Sequence, residues 1–306
     1  MTLDADALVA RRQLKRQLGI WRIVAVLALV AALLAGLATS GALDKPHIAV
    51  VPVFGVIYGD TALLDAIDAA RDDDHVKAVI VDIDSPGGGT AASEELYVAL
   101  RRVAEVKPVV AVMRSMAASG GYIVAIAGDR IFAQGNTVTG SIGVLFQSLE
   151  VSELMDTIGV SVEEVKSSPL KAEPSGFAPM SEEARAAVAS IVTDTYDWFV
   201  GLVDERRPLS EEEVRIIADG RIYTGRQALA IGLVDAIGTE REAVDWLAEA
   251  HGIDPDLPLT PVDLGPPGFD LGASLAGVVG AAIGKTLSAE RLTLDGLVSV
   301  WHPSAR

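Results

Sequence analysis

Two hydrophobic periods alternate along most of the chain. Short, β-branched apolar runs at 47–57, 76–83 and 107–113 are bounded by Pro, Gly or Asp and predict buried strands. Between the first two the spacing becomes helical, with Leu63, Leu64 and Ile67 on one face over 61–71. A second helix is expected over about 90–106, and a third begins near 121–127. Short strands are expected at 131–133 and at 138–144, the latter interrupted by glycine. Beyond these the pattern predicts a helix at 149–158, a strand at 160–165 and a Ser/Pro/Gly-rich loop at 166–179. Ser181 caps a long helix to about 205, with Glu182 and Glu183 in its first turn. Ser210 and Glu213 form a capping-box start for another helix. Residues 221–235 read as strand, turn, helix and closing strand, and 240–250 as one more helix. Strands alternating with helices predict an α/β fold with a mostly parallel sheet covered on both faces.

The two ends of the chain depart from this pattern. Residues 1–19 are polar, and Arg11, Arg12, Lys15 and Arg16 precede 21 residues without a charge, 23–43. That is the length of a bilayer-crossing helix. A cleaved signal peptide, cut near Ala38-Thr39-Ser40, is the rival reading. It would have a shorter apolar region and basic residues nearer the start. The expectation is a cytoplasmic tail (1–19), a transmembrane anchor (20–43), and an extracytoplasmic domain (44–250) at the cell membrane. Residues 251–306 are expected to be a Pro/Gly-rich linker and an apolar tail whose uninterrupted part is too short for a second span.

Composition narrows the chemistry. A formal net charge of −17 argues against binding nucleic acid through phosphates. There is no Cys, and the four His form no ligand-spaced pair, so neither thiolate nor zinc chemistry is expected. The Asp72-Asp73-Asp74 run reads as a solvated loop, and no metal is expected. Few His leave a Ser-His-Asp triad short of candidates, and only seven Lys are available as a base.

Ser119 stands at a strand-to-helix junction followed by Gly120 and Gly121, a turn that exposes a hydroxyl beside free backbone N–H groups. Gly87-Gly88-Gly89 ends the preceding strand and opens a helix, a second set of amides able to hold an oxyanion. Parallel neighbours end on the same side of a sheet, so the two turns are expected to be adjacent. A serine nucleophile needs a base. A lysine serves if burial keeps it neutral, since desolvation lowers a lysine pKa by up to about 3–5 units. Lys166 and Lys171, both in the 166–179 loop, have equal claims on these grounds. Singly, each feature also reads as ordinary structure: a tight turn, a ladder serine at Ser141, a solvated lysine, a core Tyr122.

Five stretches in order carry a resemblance: Asp84-Ser-Pro-Gly-Gly-Gly89, Ala118-Ser-Gly-Gly-Tyr122, Thr139-Gly-Ser-Ile-Gly143, Lys166-Ser-Ser-Pro-Leu-Lys171 and Ala218-Asp-Gly-Arg-Ile-Tyr-Thr-Gly225. Together they resemble the signal peptide peptidase A family, the S49 group of membrane-anchored serine peptidases, in its short single-repeat form. The resemblance runs from about 47 to about 250. It implies a ClpP/crotonase-like fold, a repeated β-β-α superhelix, and a Ser/Lys dyad that needs no cofactor. It places the nucleophile on Ser119, the base on Lys171 rather than Lys166, and the oxyanion donors on Gly87 and Gly120, with Gly88 in the same turn. Ser141 becomes the accessory hydroxyl beside the lysine. Hydrophobic peptides, among them remnants of cleaved signal peptides, are the implied substrates, and a ring-shaped homo-oligomer with shared dyads the implied assembly. One departure is Ser168-Pro169, where the family has a glycine in the lysine loop. The alternatives are a crotonase-like acyl-CoA enzyme, an S49 peptidase acting on stomatin-like membrane proteins, and a silent membrane scaffold.

Overall fold

The first apolar run forms strand β1 (His47–Ile57), parallel to β2 (Val76–Gly89), which is parallel in turn to β3 (Val109–Ala118). The structure, a computed structural model, describes residue 17, residues 19–30, residues 45–264 and the backbone of residues 298–300. Parallel neighbours need crossovers, and here these are helices α1 (Thr61–Asp72) and α2 (Thr90–Ala104). The chain continues through α3 (Gly120–Ala125), β4 (Arg130–Ala133), β5 (Val138–Gly140), α4 (Ser152–Ile158), α5 (Glu182–Arg206) and α6 (Glu211–Ile217). It closes with β6 (Ile222–Thr224), α7 (Gly225–Ala230), β7 (Ala236–Ile237), α8 (Glu240–His251), β8 (Leu259–Pro261) and β9 (Val298–Val300).

The sheet runs in the order β6-β5-β3-β2-β1-β8. One edge of β3 is divided: Val110–Met113 pair with β4, and Met116–Ala118 with β5. Alternation along the strands sends side chains to two cores. On one face Val79, Val81 and Ile83 pack with Leu63 and Ile67 of α1, Leu100 of α2, all of Tyr122–Ala125 in α3, and Phe199 and Val203 of α5. On the other, Ile48, Ile80, Val110 and Phe132 pack with Ala243 and Leu247 of α8. The expected α/β sheet, covered on both faces, is therefore present. The Ser181 cap and the Ser210/Glu213 capping box also form as expected, with Ser181 Oγ accepting from Ala184 N at 3.1 Å.

Several boundaries differ from expectation. β2 does not stop at residue 83 but stays extended to Gly89, because Gly87 and Gly88 keep pairing with Val56 and Ile57. Only a residue without a side chain fits there: a Cβ on Gly88 would lie 2.0 Å from the carbonyl oxygen of Ile57. β5 shortens to three residues. Residues 160–165 form no strand. Val160, Val162 and Val165 are exposed, and Val160 N donates back to Met155 O of α4 at 3.0 Å rather than to a strand. Within 254–270, β8 joins the sheet beside β1.

Residues 1–46 and 47–306 form two units. In the first, residues 19–30 are helical. Among the described residues no helix is long and apolar enough to cross a membrane. The expected 23–43 span runs past residue 30, outside the described residues, as do 1–16 and nearly all of the 271–300 stretch.

Candidate active site

Ser119 occupies the sharp turn between β3 and α3 with φ 56° and ψ −118°, a backbone conformation that L side chains rarely adopt. Such a position typically costs about 1–3 kcal/mol and persists only where its surroundings over-determine it. They do so here. Ser119 N donates to Gly140 O at 2.8 Å, and Ser119 O accepts from Tyr122 N at 2.9 Å and Ile123 N at 3.0 Å. The residue is 1% exposed. All six residues of α3 are buried, and cations hold the end of the helix. Arg206 donates to Ile126 O and Gly128 O, and Arg101 donates to Ala127 O. Tyr122, expected in the core, is fully buried and donates its hydroxyl to Leu233 O at 2.8 Å; burial pushes its phenol well above the ordinary tyrosine range.

The glycine turn lies against this junction, as the parallel strand order anticipates. Ser85 of β2 pairs with Ala117 of β3, two residues before Ser119. A Cβ on Gly120 would sit 2.4 Å from Ser93 Oγ, 3.1 Å from Gly88 N and 3.2 Å from Gly87 Cα. The approach is close enough that only glycine fits. Gly87 N donates to Ser85 Oγ at 3.0 Å, and Ser93 Oγ donates to Gly89 O at 2.9 Å, so two serine hydroxyls set the shape of the strip. Neither serine was singled out from the sequence. The only signal was a hydroxyl one helical turn after Gly89 and another just before Pro86.

Ser141 is placed by register. Ala118 pairs with Gly140, so Ser119 and Ser141 are the next residues on two neighbouring parallel strands. Ser141 also has positive φ, 51°, and its N–H donates to Arg221 O at 2.8 Å. The 218–225 motif thus backs the 139–143 motif, with β6 antiparallel to β5 and Gly220 N donating to Ile142 O. Thr139 Oγ1 donates to Ala117 O at 2.6 Å and ties β5 to β3.

The lysines stand apart. Lys166 Nζ lies 2.6 Å from Glu164 Oε2 and 2.7 Å from Glu173 Oε1. Its hydrogen bonds to Glu164 and then Glu173 raise its pKa above the ordinary lysine value, and Lys166 in turn holds Glu173 below the glutamate range. Lys166 is thereby kept as an ammonium and has no lone pair to offer. Lys171 is exposed on its loop. The fold therefore brings Gly87, Gly88, Ser119, Gly120 and Ser141 together, while Lys171 faces solvent. Among the described residues no group of three His, Asp or Glu is placed to hold a metal.

Residues 101–254 match peptidase family S49. A putative protease of Synechocystis sp. is 39% identical over 214 residues, which cover 69% of this chain and 77% of that protein. A putative signal peptide peptidase SppA of Enterococcus faecium is 37% identical over 191 residues, 62% of this chain and 56% of its own. Protease 4 of Haemophilus influenzae is 36% identical over 209 residues, 65% of this chain and 34% of its own. On the family match and these identities, the chain belongs to peptidase family S49, the signal peptide peptidase A family of serine peptidases.

Proposed function

We propose that this chain is a membrane-anchored endopeptidase in which Ser119 is the nucleophile and Lys171, supplied by a neighbouring copy, is the base. The observation that carries the reading is the Ser119 turn: a buried serine at positive φ, packed against the Gly87–Gly88 backbone. Ser119 Oγ attacks the scissile carbonyl, and Lys171 takes its proton and later passes it to the leaving amine. The developing oxyanion is held by the Gly120 amide and by the Gly87–Gly88 strip. Gly88 is the first partner in that strip, because the Gly87 N–H already donates to Ser85 Oγ. Ser141 lies beside Ser119 in register and orients the incoming lysine. The chemistry requires no cofactor.

Two observations favour a neighbouring copy. A neutral lysine must be buried, and Lys171 is exposed. The segment around it also exposes Leu149, Leu154, Ile158, Val165, Leu170 and Phe177, and the first half of α5 exposes Ile191. So many large apolar side chains on one stretch call for cover, and a ring of like subunits supplies it. Small, uncharged walls at Gly87–Gly89 and 117–121 suit extended apolar peptides, signal-peptide remnants among them. We read the domain as ClpP/crotonase-like, held at the outer face of the membrane by a 20–43 anchor.

The test is fluorophosphonate treatment of the detergent-solubilised full chain, read by intact mass and peptide mapping. One adduct on Ser119, absent in Ser119→Ala, is expected. An adduct on another residue, or none on assembled protein, overturns the assignment.

A further inference from the structure

Directly after Gly89 the chain enters α2, with Thr90 at its first position. Thr90, Ala91 and Glu94 of α2 face Asp194, Asp197 and Trp198 of α5 across an open cleft of about 610 Å³. Three carboxylates line it, and one already has a cation: Asp197 lies 3.0 Å from Arg215 Nη1. Glu94 and Asp194 pair with no cation among the described residues. Thr90 adds an independent sign. It is only 5% exposed, yet none of the described residues hydrogen-bonds its hydroxyl, which borders the cleft. A buried hydroxyl is costly unless something pairs with it. Among the described residues no group of three His, Asp or Glu is placed to hold a metal. The lining suits an organic cation instead: carboxylates for its charge, a hydroxyl oxygen to accept one N–H, and the Trp198 indole for its stem or guanidinium plane.

Position says where that cation comes from. Gly88 N borders Gly120, and Thr90 stands two residues farther along the chain, roughly 7 Å at the strand rise of about 3.3 Å per residue. A peptide whose scissile carbonyl reaches the Gly88 and Gly120 amides therefore brings a residue about two to four positions from the cut within side-chain reach of the cleft. We infer that this cleft is a cation subsite, in which Glu94, Asp194 and the Thr90 hydroxyl take a Lys or Arg side chain of the peptide substrate. The inference deepens the peptidase reading proposed above and rests on it. It divides the substrate's chemistry in two, apolar at the cut and basic a short way along. Signal peptides carry that pattern, with basic residues ahead of the apolar run.

The test uses internally quenched apolar peptides that differ in one residue, Lys, Arg, Glu or norleucine, moved through the positions on either side of the cut. They are given to the detergent-solubilised full chain, and the cut is located by mass spectrometry. At one position Lys and Arg should raise kcat/KM about tenfold over norleucine, mostly through KM, the effect of hydrogen bonds to a charged group. That ratio should fall toward one in Glu94→Gln/Asp194→Asn, and also at about 0.5 M NaCl, where exposed charges are screened. Asp194→Lys should turn the preference toward Glu. Thr90→Val, which keeps the shape and drops the hydroxyl, should lower the ratio a few-fold. Each ratio compares two peptides on one protein, so general damage to the fold cancels. No position that favours a cation, or a ratio unmoved by the carboxylate variants, overturns the proposal. A changed assembly size with an unmoved ratio also overturns it, because the cleft then belongs to a subunit contact. A second measurement needs no catalysis: the same peptides, fluorescein-labelled, are titrated into Ser119→Ala and read by anisotropy. Equal binding of the Lys and norleucine peptides overturns the subsite. Tighter binding of the Lys peptide, in a protein whose wild type cuts none of the set and resists fluorophosphonate, would uphold the subsite and remove the Ser119 mechanism instead.

Discussion

The Ser119 half of the candidate site and the lysine half are built by opposite means. Around Ser119 every position follows from sheet register: Ser85 with Ala117, Ala118 with Gly140, Gly140 with Ile222. Buried amides and carbonyls close on one another, and the strained turn cannot relax without breaking strands. Around Lys171, from 141 to 221, the described chain forms no strand, the large apolar side chains face solvent, and two glutamates clasp Lys166. A catalytic group that the sheet positions needs nothing else. A group on an unsupported loop needs a surface from elsewhere, which is why we propose a site completed by a neighbouring copy.

The sharpest way to break that contrast is complementation. Lys171→Ala should lower kcat by about 10²–10⁴-fold, the range for losing a positioned base, while Lys166→Ala keeps most activity. Mixed assemblies of Lys171→Ala and Ser119→Ala should regain activity, because some sites then receive an intact serine and an intact lysine. Dead assemblies, shown by pull-down to contain both variants, would mean that each chain carries its own dyad.

A second experiment probes the rigid half. Gly120→Ala drives a methyl group into Ser93 Oγ and the Gly88 amide. Turnover should fall about 10²–10³-fold, as for loss of an oxyanion donor. Adding Ser93→Gly removes the closest of the three contacts and leaves those to Gly88 N and Gly87 Cα, so thermal stability should recover more than turnover does. Recovery of both to the same degree would mean that the Gly88 approach plays no part in the chemistry.

The smallest effect concerns the lysine half. Glu173, with its depressed pKa, stabilises the loop above the ordinary glutamate range, and that support is lost as pH falls through its folded value. Lys166, with its raised pKa, contributes below the ordinary lysine value, and its share is lost as pH rises through its folded value. The clasp is therefore whole at neutral pH. Glu173→Gln at pH 7 should increase limited proteolysis within 159–180 by a few-fold and leave the Ser119 turn protected. Equal cutting in wild type and variant would show that the clasp does not hold the loop.

Legibility followed the same division. Hydrophobic period, caps and glycine turns announced the strands and helices that frame Ser119, because those signals come from burial and from local backbone chemistry. Gly87–Gly89 read as a turn since glycine usually weakens strands; the crowding of Ile57 that makes glycine compulsory in β2 is a tertiary fact. Ser93 was invisible for the same reason, one hydroxyl among helix residues. Residues 160–165 misled because alternating valines look alike whether or not an edge is there to pair with. Periodicity could not choose between Lys166 and Lys171; the family resemblance favoured Lys171, and the glutamates on Lys166 give a physical reason to set Lys166 aside.

β8 has a consequence for handling the protein. It borders β1, with Ile48 N donating to Pro258 O and Val262 N donating to Val50 O, both at 3.0 Å. The S49 match ends at residue 254, before this strand begins. A fragment trimmed to that limit would bare the outer amides and carbonyls of a long, apolar first strand, an invitation to edge-to-edge stacking between molecules. A version of this domain that keeps Leu259–Pro261 and the residue after it, Val262, leaves that margin of the sheet sealed by its own chain.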